Sequence, residues 1–400
     1  MNPVRWVLCS FVAAYCAYAQ TAGGQTSQTQ SNDPFAGVAP AATPQDSNGE
    51  PAHSWLGNFF SDNFGFRGEL MSLFDSDLDG SGASRQSIGF EALKKFSSET
   101  STIASFDFQA RLVRRDGYNP IPSDMEGAGN PGWSFEVHNL YLDLYNVFNP
   151  LMGDGARRKQ IGRFNVRIGH FYVPFGLNLQ TDTHATLLQL SNGDNFGFDE
   201  DWVAGFWGAI NKHLHYDVYY LAGSGHDLKF KGQKGLVAAR ISLSNRYTSQ
   251  YGLEGGLSVI GGDRLASAAG AAPMTGALAP LRTERIGIDG RYRHTAPNGS
   301  LAFTTELSGG RDAFDPVVME LHQAEYLRSS RRWGIGSQFR RFYRDGGGTT
   351  ASATAEFTWY FRNDVAGSNL HWIKLNIERQ LESVGVPPHT ILTLQYYLYR

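Results

Sequence analysis

Six arginines recur on the polar side of segments that alternate apolar and polar residues: Arg111, Arg163, Arg167, Arg240, Arg291 and Arg293. Between residues 173 and 200 lies a long connection that carries Asp182, His184, Asp194, Asp199 and Glu200. Guanidinium groups stay charged at any working pH, so arginines facing an acidic loop across a water-filled passage would set a transverse field. Such a field sorts solutes by charge and size, as charged rings do in channels. The alternative is that the arginines pair with Asp107, Asp143, Asp217, Asp289 or Glu356 and merely keep an interior wet.

Metal and catalytic chemistry are poorly provided for. Asp75-Ser76-Asp77-Leu78-Asp79-Gly80 matches the start of a calcium loop, D-x-D-x-D-G, but Gln86 stands where the closing bidentate carboxylate is due. An acidic turn that starts a hairpin explains these residues better. His213 and His215 flank an expected tight turn and, like His322, have no third ligand nearby in sequence, so no metal site is expected. Gly309-Gly310 and Gly346-Gly347-Gly348 read as turn glycines, because no Lys-Ser/Thr follows them as a phosphate cradle requires. No G-x-S-x-G nucleophile motif occurs. The expectation is therefore a chain that is not an enzyme and carries no cofactor. A formal net charge of -3 gives no basic face for nucleic acid.

The elements that would position the arginines are strands. In Asn139–Tyr145 the leucines share one face, with Asn139, Tyr141, Asp143 and Tyr145 on the other. Arg163, Asn165 and Arg167 oppose Phe164, Val166 and Ile168; Arg285, Asp289, Arg291 and Arg293 oppose Ile286, Ile288 and Tyr292. Residues 354–362 and 371–378 repeat this period of two, which is the strand signal. The segments run beyond the ~5–6 residues usual in globular strands and reach the ~9–11 that cross a membrane at a tilt. Aromatic residues gather near segment ends, including Trp133, Trp202, Trp333, Trp359 and Trp372. Connections alternate between short (97–101, 213, 245–249, 295–299, 363–368) and long (115–132, 173–200, 263–282). These features predict an all-β chain: a closed transmembrane antiparallel β-barrel of about 16 strands over 63–400. A mean hydropathy of -0.33 suits such a barrel, in which only alternate residues meet lipid.

The first 19 residues read as a secretory signal: Arg5, an apolar run, then Ala17-Tyr18-Ala19. Both cysteines, Cys9 and Cys16, fall inside it, so a mature chain has no thiol. Residues 20–62 form a low-complexity leader expected in the periplasm, and His53 to Asn63 (HSWLGNFFSDN), at its end, reads as a short helix or a plug. No later segment offers ~20 continuous apolar residues, and lipid cannot satisfy loose backbone groups, so a membrane form must be a closed barrel.

Arg167-Ile168-Gly169-His170-Phe171-Tyr172-Val173-Pro174-Phe175-Gly176-Leu177 resembles the G-Q-F-K-x-P-F-G strand of the phosphate-selective porin O and P family. Asp199–Gly205, Phe357–Asn363, Ile373–Glu378 and Leu394-Gln395-Tyr396 resemble later parts of that family, in order, across roughly 160–400. The resemblance implies a 16-stranded trimeric barrel that passes anions. Tyr172 replaces the family's lysine and His170 its glutamine, so no phosphate-binding role carries over to those positions. The expected function is a passive diffusion channel for small hydrophilic solutes and ions in the cell outer membrane. The expected partners are outer-membrane lipid, small solutes or anions, and two further copies of the chain. A phosphate- or polyphosphate-selective pore and a non-conducting structural barrel are the alternatives.

Overall fold

A computed structural model describes residues 64–78, 82–98, 101–117, 132–148, 163–178, 191–196, 198–211, 213–225, 235–243, 252–265, 280–363, 369–383, 385 and 387–400. The signal and leader readings, 1–19 and 20–62, lie outside these residues. Sixteen strands follow one another: β1 (Phe64–Asp77), β2 (Gly82–Ser98), β3 (Ser101–Asp116), β4 (Gly132–Leu144), β5 (Asn165–Tyr172), β6 (Glu200–Ala209), β7 (Leu214–Leu221), β8 (Gly235–Leu243), β9 (Gly252–Leu265), β10 (Pro280–Ala296), β11 (Gly299–Asp312), β12 (Asp315–Arg328), β13 (Trp333–Arg344), β14 (Gly348–Asn363), β15 (Leu370–Glu382) and β16 (Thr390–Tyr399). Each pairs antiparallel with its sequence neighbours, and β1 pairs with β16, so the sheet closes on itself. Closure leaves no edge strand, and every ladder group within it finds a partner.

The period of two sorts side chains between two faces. Ile88, Leu112, Phe135, Ile168, Val237, Ile286 and Leu394 are exposed on the outside, where a bilayer would meet them. The opposite face carries Glu69, Asp107, Arg111, Asp143, Arg167, Arg240, Asp289, Thr304, Lys374 and Gln395, all buried. Because one face must be apolar and the other polar, a one-residue slip would put charges in lipid, and the register is held by that cost.

The expected asymmetry of connections holds from β5 to β10 and fails elsewhere. The β4–β5 connection, 145–164, is long although it lies at the rim of short turns. At the opposite rim, Ala313-Phe314 joins β11 to β12 and Asp345-Gly346-Gly347 joins β13 to β14 as tight turns. Asp75 and Asp77 lie within β1 rather than in a loop, and Asp75 accepts a hydrogen bond from Thr393 Oγ1 at 2.5 Å. The calcium-like motif is therefore the end of a strand and the start of a hairpin; Asp79 and Gly80 lie outside the described residues.

Candidate pore and its constriction loop

β5 ends at Tyr172, and the chain then turns away from the sheet. Phe175 N–H donates to the Val173 carbonyl at 2.8 Å, a tight reversal just past Pro174. A 3-10 turn, Gly176–Asn178, and a short helix α1, Ser191–Phe196, are the described parts of the β5–β6 connection. Both are fastened to inward-facing side chains of strands well around the barrel from β5. Gly176 N–H donates to Ser258 Oγ on β9 at 3.1 Å, and Leu177 N–H to Glu306 Oε1 on β11 at 3.4 Å. Ser191 Oγ donates to Glu306 Oε2 at 2.5 Å, and Ser308 Oγ to Asn195 Oδ1 at 2.8 Å. Arg285 Nη2 on β10 donates to the Asn195 carbonyl at 3.4 Å. The loop thus lies inside the barrel, as its length predicts.

Two glycines make this docking possible. Gly176 has φ +67°, and a Cβ there would stand 2.3 Å from Glu306 Oε2. A Cβ on Gly287 of β10 would meet the Phe175 ring at 2.7 Å. Phe175, Phe196 and Phe198 of the connection cluster with inward-facing Tyr141, Phe171, Trp207, Tyr219 and Leu236. This apolar contact seats the connection against the inner face of β4 to β9. Burying several aromatic side chains at roughly 25 cal/mol per Å² explains why the loop holds its place.

The six arginines divide into three groups. Arg111, Arg167 and Arg240 face inward but are sealed in bidentate pairs: Arg111 with Glu69 at 2.7 and 2.8 Å, Arg167 with Asp143 at 2.7 Å twice, Arg240 with Asp289 at 3.1 and 2.6 Å. The Arg167 guanidinium also lies 3.7 Å from the Phe171 ring centre, and Trp207 Nε1 donates to Asp143 at 3.2 Å. Arg291 and Arg293 face inward with side chains 21% and 28% exposed, sharing Glu254 at 3.2 and 3.9 Å. These two are the lumen arginines among the six that meet solvent. Arg163 precedes β5 and is exposed; its carbonyl accepts the Tyr216 hydroxyl at 2.8 Å, and it does not sit on a strand face as expected.

Among the acidic residues of the connection, Glu200 is described and does not face these arginines. Asp182 and His184 lie outside the described residues, and Asp194 is in α1. Asp199 is half-buried, with its carbonyl accepting from Val173 N–H at 2.8 Å. Glu200 opens β6 on the face it shares with Ala204 and the outward Phe206, and it is fully buried. There it meets His138 Nδ1 at 2.9 Å and His170 Nδ1 at 3.8 Å, while Tyr172 OH lies 3.0 Å from His138 Nε2. Tyr172, at the family's lysine position, is thus bound to a histidine. The next residue, Asp201, points inward and accepts from the N–H groups of Gly223 at 2.6 Å and Ser224 at 3.1 Å, which ties the β7–β8 connection to β6. His213, His215 and His322 sit on β6–β7, β7 and β12 and do not converge.

Sequence reading missed the residues that fasten the loop: Ser258, Arg285, Asn195, Ser308 and above all Glu306. Alternation alone could have found Glu306, because it shares a face with Thr304 and Ser308 in β11. It also missed Arg264 and the Asp312 carboxylate, which receives Arg264 at 3.1 Å and Arg285 at 2.8 Å.

No protein-family model matches this chain, and no curated protein matches it in sequence. Solved structures do match in fold. The high-pH structure of Pseudomonas putida OprB superposes with a TM-score of 0.57 at 11% identity, covering 84% of this chain and 94% of that one. An anion-selective porin from Comamonas acidovorans gives 0.51 at 9% identity, covering 84% and 98%. The trimer form of OmpT, an outer membrane protein of Vibrio cholerae, gives 0.50 at 9% identity, covering 84% and 99%. The shared feature is the porin-like closed barrel, and at these identities the likeness is one of fold.

Proposed function

We propose that this protein is an outer-membrane porin: a passive channel for small hydrophilic solutes and ions. The observation that carries the reading is the inward-folded β5–β6 connection, fastened to Ser258, Glu306 and Ser308 inside a closed sixteen-stranded barrel. Sixteen strands enclose more space than wall side chains can fill, and a docked loop narrows it without closing it. The polar inner face and apolar outer face fit a water-filled span through lipid.

Ion preference is set, in this reading, by the solvent-facing Arg291 and Arg293 with Glu254, rather than by the sealed pairs of Arg111, Arg167 and Arg240. Two guanidinium groups on one carboxylate favour anions at that level of the lumen. A phosphate-specific site has no support at Tyr172, which is a phenol held by His138. The protein acts as a homotrimer, in line with the trimer form of the Vibrio cholerae neighbour. Liposome swelling tests the function: vesicles carrying the folded protein should admit small neutral sugars at rates that fall with solute size. Rates equal to those of empty vesicles would overturn it.

A further inference from the structure

On the outer face of β10 to β13, toward the rim opposite the chain termini, charged side chains stand in one band. Arg282 and Glu284 share a face with the exposed Ile286 and Ile288, Arg311 with Phe303, and Arg341 with Ile335 and Tyr343. Register sets Arg311 opposite Glu284, Glu320 opposite Arg341, and Asp263 opposite Arg282. The hydrogen-bonded row through Glu320 begins low on β7, at Tyr216, and reaches Arg341 high on β13. Rows climb in this way because barrel strands tilt by about 45°. A level line therefore drops about one to one and a half residues per strand relative to the row. Drawn from Glu284, it passes close to Arg311, Glu320 and Arg341.

The guanidinium groups stand outermost. The side chains of Arg282, Arg311 and Arg341 are 56%, 57% and 49% exposed, against 36% for Glu284 and 30% for Glu320. Glu284 receives Arg282 Nη2 on Oε1 at 3.3 Å and Arg311 Nη2 on Oε2 at 2.7 Å, so one carboxylate holds two guanidinium groups side by side. Arg341 reaches Glu320 at 3.8 Å, and its side chain makes no hydrogen bond among the described residues. The tight turns Ala313-Phe314 and 345–347 close the strands above the band, so no long connection of β11 to β12 or β13 to β14 overhangs it.

We propose that this band binds the phosphate of anionic lipid headgroups in the outer leaflet. The inference rests on the outer-membrane reading, with the chain termini on the periplasmic side. Below the band, Ile286, Ile288, Phe303 and Ile335 are exposed where acyl chains would lie, so headgroups begin at the level of the arginines. A guanidinium fork matches two phosphate oxygens and is more weakly hydrated than an ammonium. Two forks already held on Glu284 bind one phosphate with less ordering cost than two free side chains. The carboxylates offset the repulsion among the arginines from beneath, so the edge offered to the leaflet is cationic. The same level on β6 to β8 carries Trp202, Tyr220 and Val237 instead, which confines the bound lipid to the β10–β13 sector.

The experiment takes folded mature protein in a neutral detergent and adds phosphatidate or phosphatidylcholine with the same acyl chains. Native mass spectrometry counts the lipid that stays bound. The wild type should retain phosphatidate in preference to phosphatidylcholine. Arg282→Gln/Arg311→Gln/Arg341→Gln should lose that preference by roughly tenfold. Arg282→Lys/Arg311→Lys/Arg341→Lys keeps the charges and should keep most of it, so the loss reads charge and not unfolding. Arg291→Gln/Arg293→Gln, in the lumen, should retain phosphatidate as the wild type does. No preference in the wild type, or an undiminished one in the glutamine variant shown by gel mobility to be folded, would overturn the site. Displacement of the lipid by an equal concentration of inorganic phosphate would overturn the lipid assignment. Binding is read without current, so a barrel that conducts and shows no headgroup preference fails this proposal alone.

Discussion

The hydroxyl of Ser191 donates to the carboxylate of Glu306 at 2.5 Å, across 115 positions of sequence. One residue belongs to a loop that leaves the sheet after β5, the other to the inner face of β11. Their contact turns a long external connection into part of the lumen, and the size of the passage depends on it.

Glu306→Ala should loosen the loop. It removes the acceptor for both Ser191 and Leu177 while leaving the Phe175 and Phe196 contacts. Single-channel recordings should show higher or fluctuating conductance, with the barrel still folded on gels. A steady, unchanged current would show that the apolar contacts alone hold the loop.

Gly176→Ala tests the same junction from the backbone. The left-handed conformation costs a residue with a Cβ about 1–2 kcal/mol, and this Cβ would also displace the Glu306 carboxylate. Thermal unfolding should fall accordingly, and the conductance should change in the same direction as in Glu306→Ala.

Arg167→Met should be costly for a different reason. It removes both guanidinium donors to the buried Asp143 carboxylate and leaves it the Trp207 Nε1–H. Breaking a buried pair from one side costs about 3–5 kcal/mol, whereas replacing both partners by apolar groups is often neutral. Urea unfolding in detergent or lipid should show a large loss for Arg167→Met and a smaller one for Arg167→Met/Asp143→Leu. Equal losses would contradict the pairing argument.

Ion preference should respond to Arg291 and Arg293. The reversal potential under a KCl gradient should move toward cation preference in Arg291→Glu/Arg293→Glu. A potential that stays put would remove these two residues from the selective part of the lumen.

Much of the fold was legible because the membrane imposes a strict period of two. Arg285 to Arg293 shows inward and outward faces at a glance, and the strand count follows from such segments. The docked loop was legible from its length and place. What alternation cannot show is which inward charges cancel. Arg167 and Asp143 meet because β4 and β5 bring them opposite each other, a register that sequence pattern alone leaves open. Arg163 and Arg167 look equivalent by period, but the strand begins at Asn165, so only Arg167 has a defined face. Glu200 reads as part of an acidic loop; one position separates it from the inward Asp201, and that single step carries it out of the lumen.

The most direct test of the account is the current through purified, folded mature protein in a planar bilayer. An open barrel narrowed by a docked loop predicts stable, stepwise insertions, each adding a fixed conductance that scales with salt concentration. Protein that inserts as a folded barrel and passes no current would contradict the pore and leave a structural barrel in its place.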